Sequence, residues 1–202
     1  WFQSQLRDLA ITGDWRVAHG DDASVLCHMA SAYELLVMMR DNESRDAPLG
    51  YGAVSRCVFG SCTPVLTVPV DTPVTSCGSR ICVAWNGSRE ANLALRGALP
   101  LLRSADALSI LDGSADPERA DPMRPPVPDL RTWLDRHDIE ADIHPFHPDG
   151  PSGPAIDAAA NDFGADLLVM GAWGRSRISE LVLGGATRHL FGNARMPMLV
   201  AH

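Results

Sequence analysis

The sequence contains no lysine, and all 17 of its basic residues are arginines. A Walker A loop, a kinase active site, a Schiff base and a pyridoxal-phosphate linkage each need a lysine, so these chemistries are excluded. The basic residues are also outnumbered by 25 acidic ones, which gives a net charge of −8. The sequence therefore predicts neither nucleic-acid binding nor attachment to an acidic membrane surface, because both need a basic face.

Long apolar runs are absent as well. No stretch approaches the roughly 20 apolar residues that cross a bilayer, and no signal peptide is recognisable at the start. The five cysteines, at positions 27, 57, 62, 77 and 82, form no Cys-x-x-Cys motif. We therefore expect reduced thiols and a cytoplasmic protein.

Catalytic and metal-binding patterns are equally scarce. No nucleophile–base pair and no pair of carboxylates stands out, so the sequence favours a binding protein over an enzyme. His144 and His147 lie near Asp142 and Asp149, but the prolines among them favour a solvated loop over a metal site. We predict no metal centre.

What the sequence does contain is an internal repeat. Residues 34–62 align without gaps with residues 166–194, at a constant offset of 132, and eleven of the 29 pairs are identical, among them Leu36 with Leu168. We interpret the chain as a duplication. Residues 1–70 then form the second half of one copy, residues 71–79 a linker, and residues 80–202 a complete copy.

The complete copy alternates strand and helix patterns, which predicts an α/β fold with a five-stranded, parallel, doubly wound, Rossmann-like sheet. Its predicted strands are Ser79–Trp85, Ala107–Leu111, Glu140–His144, Asp166–Met170 and Met198–Ala201, and its helices Arg89–Arg103 (capped by Ser88), 129–137, Pro154–Phe163 and Thr187–Phe191. The partial copy is predicted to hold helices at Phe2–Ile11, Ala23–Ala30 and Ala53–Phe59, and strands at Asp14–Ala18, Glu34–Met38 and Val65–Val68.

The strongest functional signal directly follows the most apolar strand. Gly171, Gly174 and Gly184 are spaced as G-x2-G-x9-G. Glycines let a backbone approach a phosphate, and the free N–H groups of the helix that follows favour an anion. Arg175 and Arg177 can add guanidinium groups.

Tight strand-to-helix turns account for the same glycines, so a purely structural interpretation stays open. The partial copy has Met39 and Asn42 where the complete copy has Gly171 and Gly174. We therefore interpret the two glycines as not simply demanded by the fold.

Three segments in this order, VAWNGSREA, LLVMGAWGRSR and LVLGGATRHLF, resemble the universal stress protein (UspA) family, and most closely its tandem forms. The resemblance implies a bacterial, cytoplasmic stress-response protein that binds ATP, with or without Mg²⁺. It implies that Gly171, Gly174 and Gly184 contact the phosphates and ribose and that Met170 lies near the nucleotide, to which Arg175 can add its guanidinium group. Gly185 stands where the family has Ser or Thr, with Thr187 two residues later, and Asn86 stands where ATP-binding members have Asp.

Two functions follow. One is a protein that binds ATP as a regulatory ligand; the other is an interaction scaffold of the same fold without nucleotide. For both, the resemblance implies self-association through the last strands, so that Val65–Val68 and Met198–Ala201 pair antiparallel, within one chain or in a homodimer. An enzyme of another nucleotide-handling α/β family is least favoured, because the chain lacks H-x-G-H and S-G-G-x-D-S.

Overall fold

A computed structural model describes residues 1–40, 52–114, 129–172 and 185–202, which contain eight helices and seven strands. The helices are α1 Phe2–Asp8, α2 Asp22–Ala30, α3 Ala53–Gly60, α4 Arg89–Gly97, α5 Leu99–Leu102, α6 Leu130–Asp135, α7 Ser152–Phe163 and α8 Gly185–Asn193. The strands are β1 Leu36–Arg40, β2 Val65–Pro69, β3 Arg80–Trp85, β4 Ala107–Asp112, β5 Asp142–Pro145, β6 Leu167–Gly171 and β7 Met198–Ala201.

All seven strands form one sheet in the order β1-β2-β7-β6-β3-β4-β5. The five strands from β7 to β5 run parallel, as the sequence predicts, and Ala84 of β3 lies opposite Met170 of β6. The order reverses between β6 and β3, because the chain passes from β3 to β4 on one side and returns through β6 and β7 on the other. This is the doubly wound arrangement, and it opens a crevice at the carboxyl ends of β3 and β6.

The seam between β2 and β7 is the one antiparallel junction of the sheet as described. Val65 lies opposite Val200, and the Thr67 hydroxyl donates to the Met198 carbonyl over 3.3 Å. The predicted pairing of the two last strands is thus present within the chain. It covers edges of β2 and β7 that would otherwise offer unpaired N–H and C=O groups.

Helices cover both faces of the sheet. One face packs against α4, α5 and α6 through Ala94, Leu95 and Leu134, and the other packs against α2, α3, α7 and α8 through residues such as Val58 and Leu190. The two faces alternate along each strand: Val169 points to the α4 side, while Leu168 and Met170 point to the α8 side. This explains why β6 is a continuous apolar run, since both of its faces are buried.

β1 is covered on only one face. Leu36 and Met38 pack toward α2 and α3, whereas Val37 and Met39 point the other way and are 58% and 61% exposed. Val169, which the sequence repeat aligns with Val37, is 0% exposed. The difference arises because α4 packs over β6 and β7, while among the described elements no helix packs on the Val37 side of β1.

Arg40, at the end of β1, ties that strand to the far end of α8. Its guanidinium donates to the carbonyl oxygens of Phe191 (2.6 Å) and Ala194 (2.5 Å), and also to Leu190 at 3.3 Å. These are carbonyls at a helix C-terminus, where a cation is favoured by the helix dipole. Burial lowers the pKa of Arg40 to about 10, partly offset by Asp157, so the side chain stays charged at neutral pH.

Three predicted elements need correction. The strand predicted at Asp14–Ala18 is absent: residues 11–19 are exposed and lack regular structure. An alternating pattern becomes a strand only where a neighbour accepts its hydrogen bonds, and no described strand pairs with this segment.

The other two corrections concern helices. The helix predicted over Arg89–Arg103 is broken at Ala98 into α4 and α5, because Pro100 has no N–H to continue the ladder. Helix α1 ends at Asp8 rather than Ile11, ahead of Ala10, which adopts a positive φ of 52°.

Candidate functional site

The crevice at the switch point is bordered by the two segments that the sequence analysis selected. Because Ala84 lies opposite Met170, the segment beginning at Asn86 and the segment beginning at Gly171 leave neighbouring strands at the same edge of the sheet. The structure therefore brings the predicted Asn86 and Gly171 to one place. Gly174, Arg175, Gly184 and the nearby Trp173, Arg177 and Glu180 lie outside the described residues.

Asn86 has a local structural role. Its Oδ1 accepts a hydrogen bond from the Ser88 N–H over 3.1 Å, and the Ser88 hydroxyl in turn accepts from the Ala91 N–H at 3.1 Å. Gly87 between them adopts a positive φ of 72°. The N-G-S sequence is therefore a turn that caps the start of α4, as predicted for Ser88, and Asn86 fixes that turn.

Gly171 is required by packing. A Cβ atom there would lie 2.4 Å from the Ala91 nitrogen and 2.6 Å from the Glu90 carbonyl carbon, both backbone atoms in the first turn of α4. The interpretation that this glycine is not demanded by the fold is therefore wrong. Met39, its counterpart in the repeat, is tolerated because its side chain points to solvent.

Met170 and Thr187 are buried rather than displayed at the crevice. Met170 packs in the core cluster that also contains Leu190 of α8, and Thr187 lies in the first turns of α8 among buried residues. Gly185 is exposed at the start of α8, and a Cβ atom there would meet nothing within 4 Å. Of these three residues, only Gly185 offers open space at a helix N-terminus.

A cleft of about 390 Å³ lies next to the crevice, at the carboxyl ends of β3, β4 and β5. Trp85 forms one wall, and Leu130, Ile143 and Pro145 add apolar surface. Its polar groups are Asp112, Ser114, Asp129 and Arg131. The cleft thus combines an apolar wall with two carboxylates and one guanidinium, which is typical of sites for small polar ligands.

The two cleft carboxylates are held by neighbouring hydrogen-bond donors. Asp112 accepts from the Ser114 N–H over 2.8 Å. Asp129 caps α6, accepting from the Thr132 N–H at 3.1 Å and the Thr132 hydroxyl at 2.6 Å. The Thr132 hydrogen bonds lower the pKa of Asp129 below its ordinary value, so the carboxylate is ionised at neutral pH.

Sequence reasoning missed Asp129 and Arg131 as residues that line the cleft. The signal for Asp129 was the D-x-x-T cap before an apolar run. That signal locates a helix start, but it does not reveal that the helix begins beside β4 and β5.

The described residues show neither a cluster that suits a metal ion nor a helix that suits a membrane span. Nowhere in residues 1–40, 52–114, 129–172 and 185–202 do three or more His, Cys, Asp or Glu side chains converge in a way that suits a metal ion. None of the described helices combines the length and apolar character that crossing a bilayer takes.

The comparisons with known proteins agree with this architecture. The model of the universal stress protein family matches residues 79–202. Among solved structures, the chain is similar to a universal stress protein from Archaeoglobus fulgidus, with 21% identity and a TM-score of 0.76 over 99% of this chain and 72% of that one. It is also similar to a functionally unknown protein from Pseudomonas aeruginosa, with 16% identity and a TM-score of 0.61 over 99% and 75% of the two chains. These structural likenesses show the fold; no curated protein matches the sequence.

Proposed function

This chain belongs to the universal stress protein family, and on that basis we propose that it binds a nucleotide, ATP, as a regulatory ligand in a cytoplasmic stress response. The observation that carries the proposal is the cleft of about 390 Å³ at the carboxyl ends of β3, β4 and β5, beside the switch point. Open α/β sheets bind their ligands at this edge. The role is binding rather than catalysis, with slow hydrolysis of the bound ATP compatible with it.

The cleft fits the nucleoside end of such a ligand. Leu130, Ile143 and Pro145 supply apolar surface for a base. The carboxylates of Asp112 and Asp129 accept hydrogen bonds from ribose hydroxyls or base N–H groups, but they repel phosphates. A nucleotide bound here therefore directs its phosphates away from the cleft carboxylates.

The start of α8 fits the phosphate end. Its N–H groups and helix dipole favour an anion, and Gly185 leaves the space in front of them open. From the sequence, we assign the phosphate contacts to Gly174, Arg175 and Gly184. Where Mg²⁺ accompanies ATP, it would stay with the phosphates at this end of the site.

We also propose that the chain is a tandem arrangement with a partial first unit at residues 1–70, a linker at 71–79 and a complete unit at 80–202. The helices α3 (Ala53–Gly60) and α8 (Gly185–Asn193) begin 132 residues apart, which is the offset of the sequence repeat. Each is followed by a strand of the antiparallel seam. Arg40 of the first unit holds the end of α8, so the first unit is positioned to sense a ligand at the start of that helix.

Nucleotide content tests the proposal. The protein is purified without added ligand and denatured, released nucleotides are identified by mass spectrometry, and Mg-ATP binding is measured by calorimetry. We expect ATP binding that Gly174→Val abolishes, because the added side chain keeps the backbone from a phosphate. The matched control is Gly150→Val, since Gly150 has nothing within 4 Å of its Cβ position. A protein that is empty and fails to bind Mg-ATP would contradict the proposal.

The second candidate is an interaction scaffold without nucleotide. The bare side of β1, with Val37 and Met39 exposed at the edge of the sheet, favours it, because such surfaces mark contacts with other chains. An empty protein that sediments as a homodimer, and whose dimer is lost on Met39→Lys, would support this candidate instead.

A further inference from the structure

The contact between α2 and α3 holds two thiols. The Cys27 Sγ lies 3.7 Å from the carbonyl oxygen of Arg56, the residue before Cys57. Reciprocally, the Cys57 Sγ lies 3.9 Å from the carbonyl oxygen of Ala23, one helical turn before Cys27. Each thiol therefore reaches the backbone next to the other, and the neighbouring Cys27 thiol contributes to the raised pKa of Cys57.

Gly60 leaves room for this arrangement. It ends α3, one turn after Cys57, and a Cβ atom there would lie 3.0 Å from the Cys27 Sγ. A larger residue at position 60 would press on the thiol. All five cysteines are free in the structure, and Cys62 and Cys77 are exposed elsewhere.

From this geometry we propose that Cys27 and Cys57 are a redox pair, which a hydroperoxide converts into a disulfide that joins α2 to α3. The reaction is a two-electron oxidation of the two sulfurs, and the peroxide is the oxidant that is reduced.

The steps balance as follows for hydrogen peroxide. The Cys27 sulfur attacks one peroxide oxygen, the O–O bond breaks, and one water leaves, which gives a sulfenic acid on Cys27. The Cys57 sulfur then attacks the Cys27 sulfur, the S–S bond forms, the S–O bond breaks, and the hydroxyl departs as a second water with the Cys57 proton.

Exposure assigns the order of attack. Cys27 is partly exposed, whereas Cys57 is 0% exposed, so a peroxide reaches Cys27 first. Burial, together with the neighbouring Cys27 thiol, raises the pKa of Cys57 to about 11, which suits a resolving thiol rather than the first nucleophile. The charged groups around the pair are Arg56 and Asp21, and they neutralise each other through a 2.9 Å hydrogen bond. Because thiolates are the nucleophiles in both steps, we expect the disulfide to form faster as pH rises.

The test uses the full chain with Cys62→Ser and Cys77→Ser, which leaves Cys27, Cys57 and Cys82. Because arginine is the only basic residue type in the chain, trypsin places these cysteines on separate peptides: residues 17–40, 57–80 and 81–89. After treatment with hydrogen peroxide we expect one disulfide between peptides 17–40 and 57–80, lost on reduction, and one remaining thiol out of three. The oxidised protein should also melt higher, on the order of 5–10 °C, because the cross-link closes a loop of about thirty residues.

Two variants keep the result interpretable. Cys57→Ala removes only the sulfur of the resolving thiol, and in it Cys27 should be trapped by dimedone as a sulfenic acid. Gly60→Ala should slow disulfide formation, since it displaces the Cys27 thiol without removing either sulfur. Three free thiols after peroxide treatment, a disulfide that contains Cys82, or oxidation of Cys27 without linkage to Cys57 would each overturn the proposal.

Discussion

The carboxylate of Asp166 accepts a hydrogen bond of 2.9 Å from the backbone N–H of Arg80, and further ones from the N–H groups of Gly78 and Ser79. It thus ties the start of β3 to the residue before β6. Burial raises the pKa of Asp166, but these hydrogen bonds outweigh it, and the net pKa lies below the ordinary value of 3.8.

This contact predicts a pH dependence of stability. A carboxylate whose pKa is lower in the folded state stabilises the fold fully above its unfolded pKa and loses that contribution as pH falls through the folded pKa. We expect the urea concentration at the unfolding midpoint to decrease as the pH is lowered beyond about 4. In Asp166→Asn this decrease should be less steep. Asp162→Asn, at an exposed position, is the control and should leave the slope unchanged. Equal slopes in all three proteins would contradict the assignment.

Gly171→Ala should destabilise the fold by about 1–3 kcal/mol, because the new Cβ overlaps the backbone of α4. Gly185→Ala is the matched control: its Cβ meets nothing, and alanine favours a helix, so its effect should be neutral or stabilising by up to about 1 kcal/mol. Urea unfolding measures both. Equal stabilities would mean that α4 does not approach β6 as described.

Gly185→Ser should strengthen ATP binding several-fold without loss of stability. The space in front of α8 is open, and a hydroxyl there supplies a hydrogen bond, worth about 0.5–1.5 kcal/mol. Calorimetry with Mg-ATP compares the variant with the parent and with Gly185→Ala, which adds a Cβ but no hydroxyl. An affinity gain in both variants would point to helix stabilisation rather than to a ligand contact.

Arg40→Met should destabilise by about 2–4 kcal/mol, because it keeps the aliphatic stem but leaves buried carbonyls at the end of α8 without their donor. The control is Arg16→Met, where the side chain is mostly exposed and the expected change is within about 0.5 kcal/mol. Denaturant unfolding by tryptophan fluorescence and by circular dichroism gives the two values. A small effect at Arg40 would show that β1 is not held through α8.

Val169→Thr should cost about 1–3 kcal/mol, since it buries a hydroxyl in the core. Val37→Thr, the same substitution at the repeat-equivalent position, should change stability by less than about 0.5 kcal/mol, since that side chain is 58% exposed. A large cost at position 37 would reveal a covering partner on β1, and sedimentation of the same sample would identify a second copy.

The positions of most strands were predictable because their patterns are local. Alternation and apolar runs locate β3, β4, β6 and β7 to within about one residue, and the repeat aligns β1 with β6. The prediction of a strand at Asp14–Ala18 was wrong because a strand needs a neighbouring strand, and a five-residue pattern carries no information about that neighbour.

The candidate site was predictable only in part. The glycine spacing selected Gly171, but it did not reveal that Gly171 packs against the backbone of Ala91. Asp129 and Arg131 join the cleft only through the packing of α6, and Arg40 reaches Phe191 across 151 residues. Contacts of this range follow from tertiary packing, which composition and periodicity do not encode.

The antiparallel seam between β2 and β7 gives the molecule two opposite rims. The carboxyl ends of β3 to β7 open on one rim, while those of β1 and β2 open on the other, because the polarity of the sheet reverses once. The carboxyl end of β1, where Arg40 holds the end of α8, therefore lies on the opposite rim from the cleft at the carboxyl ends of β3, β4 and β5. Strand polarity alone thus keeps the contact between the two units apart from the cleft.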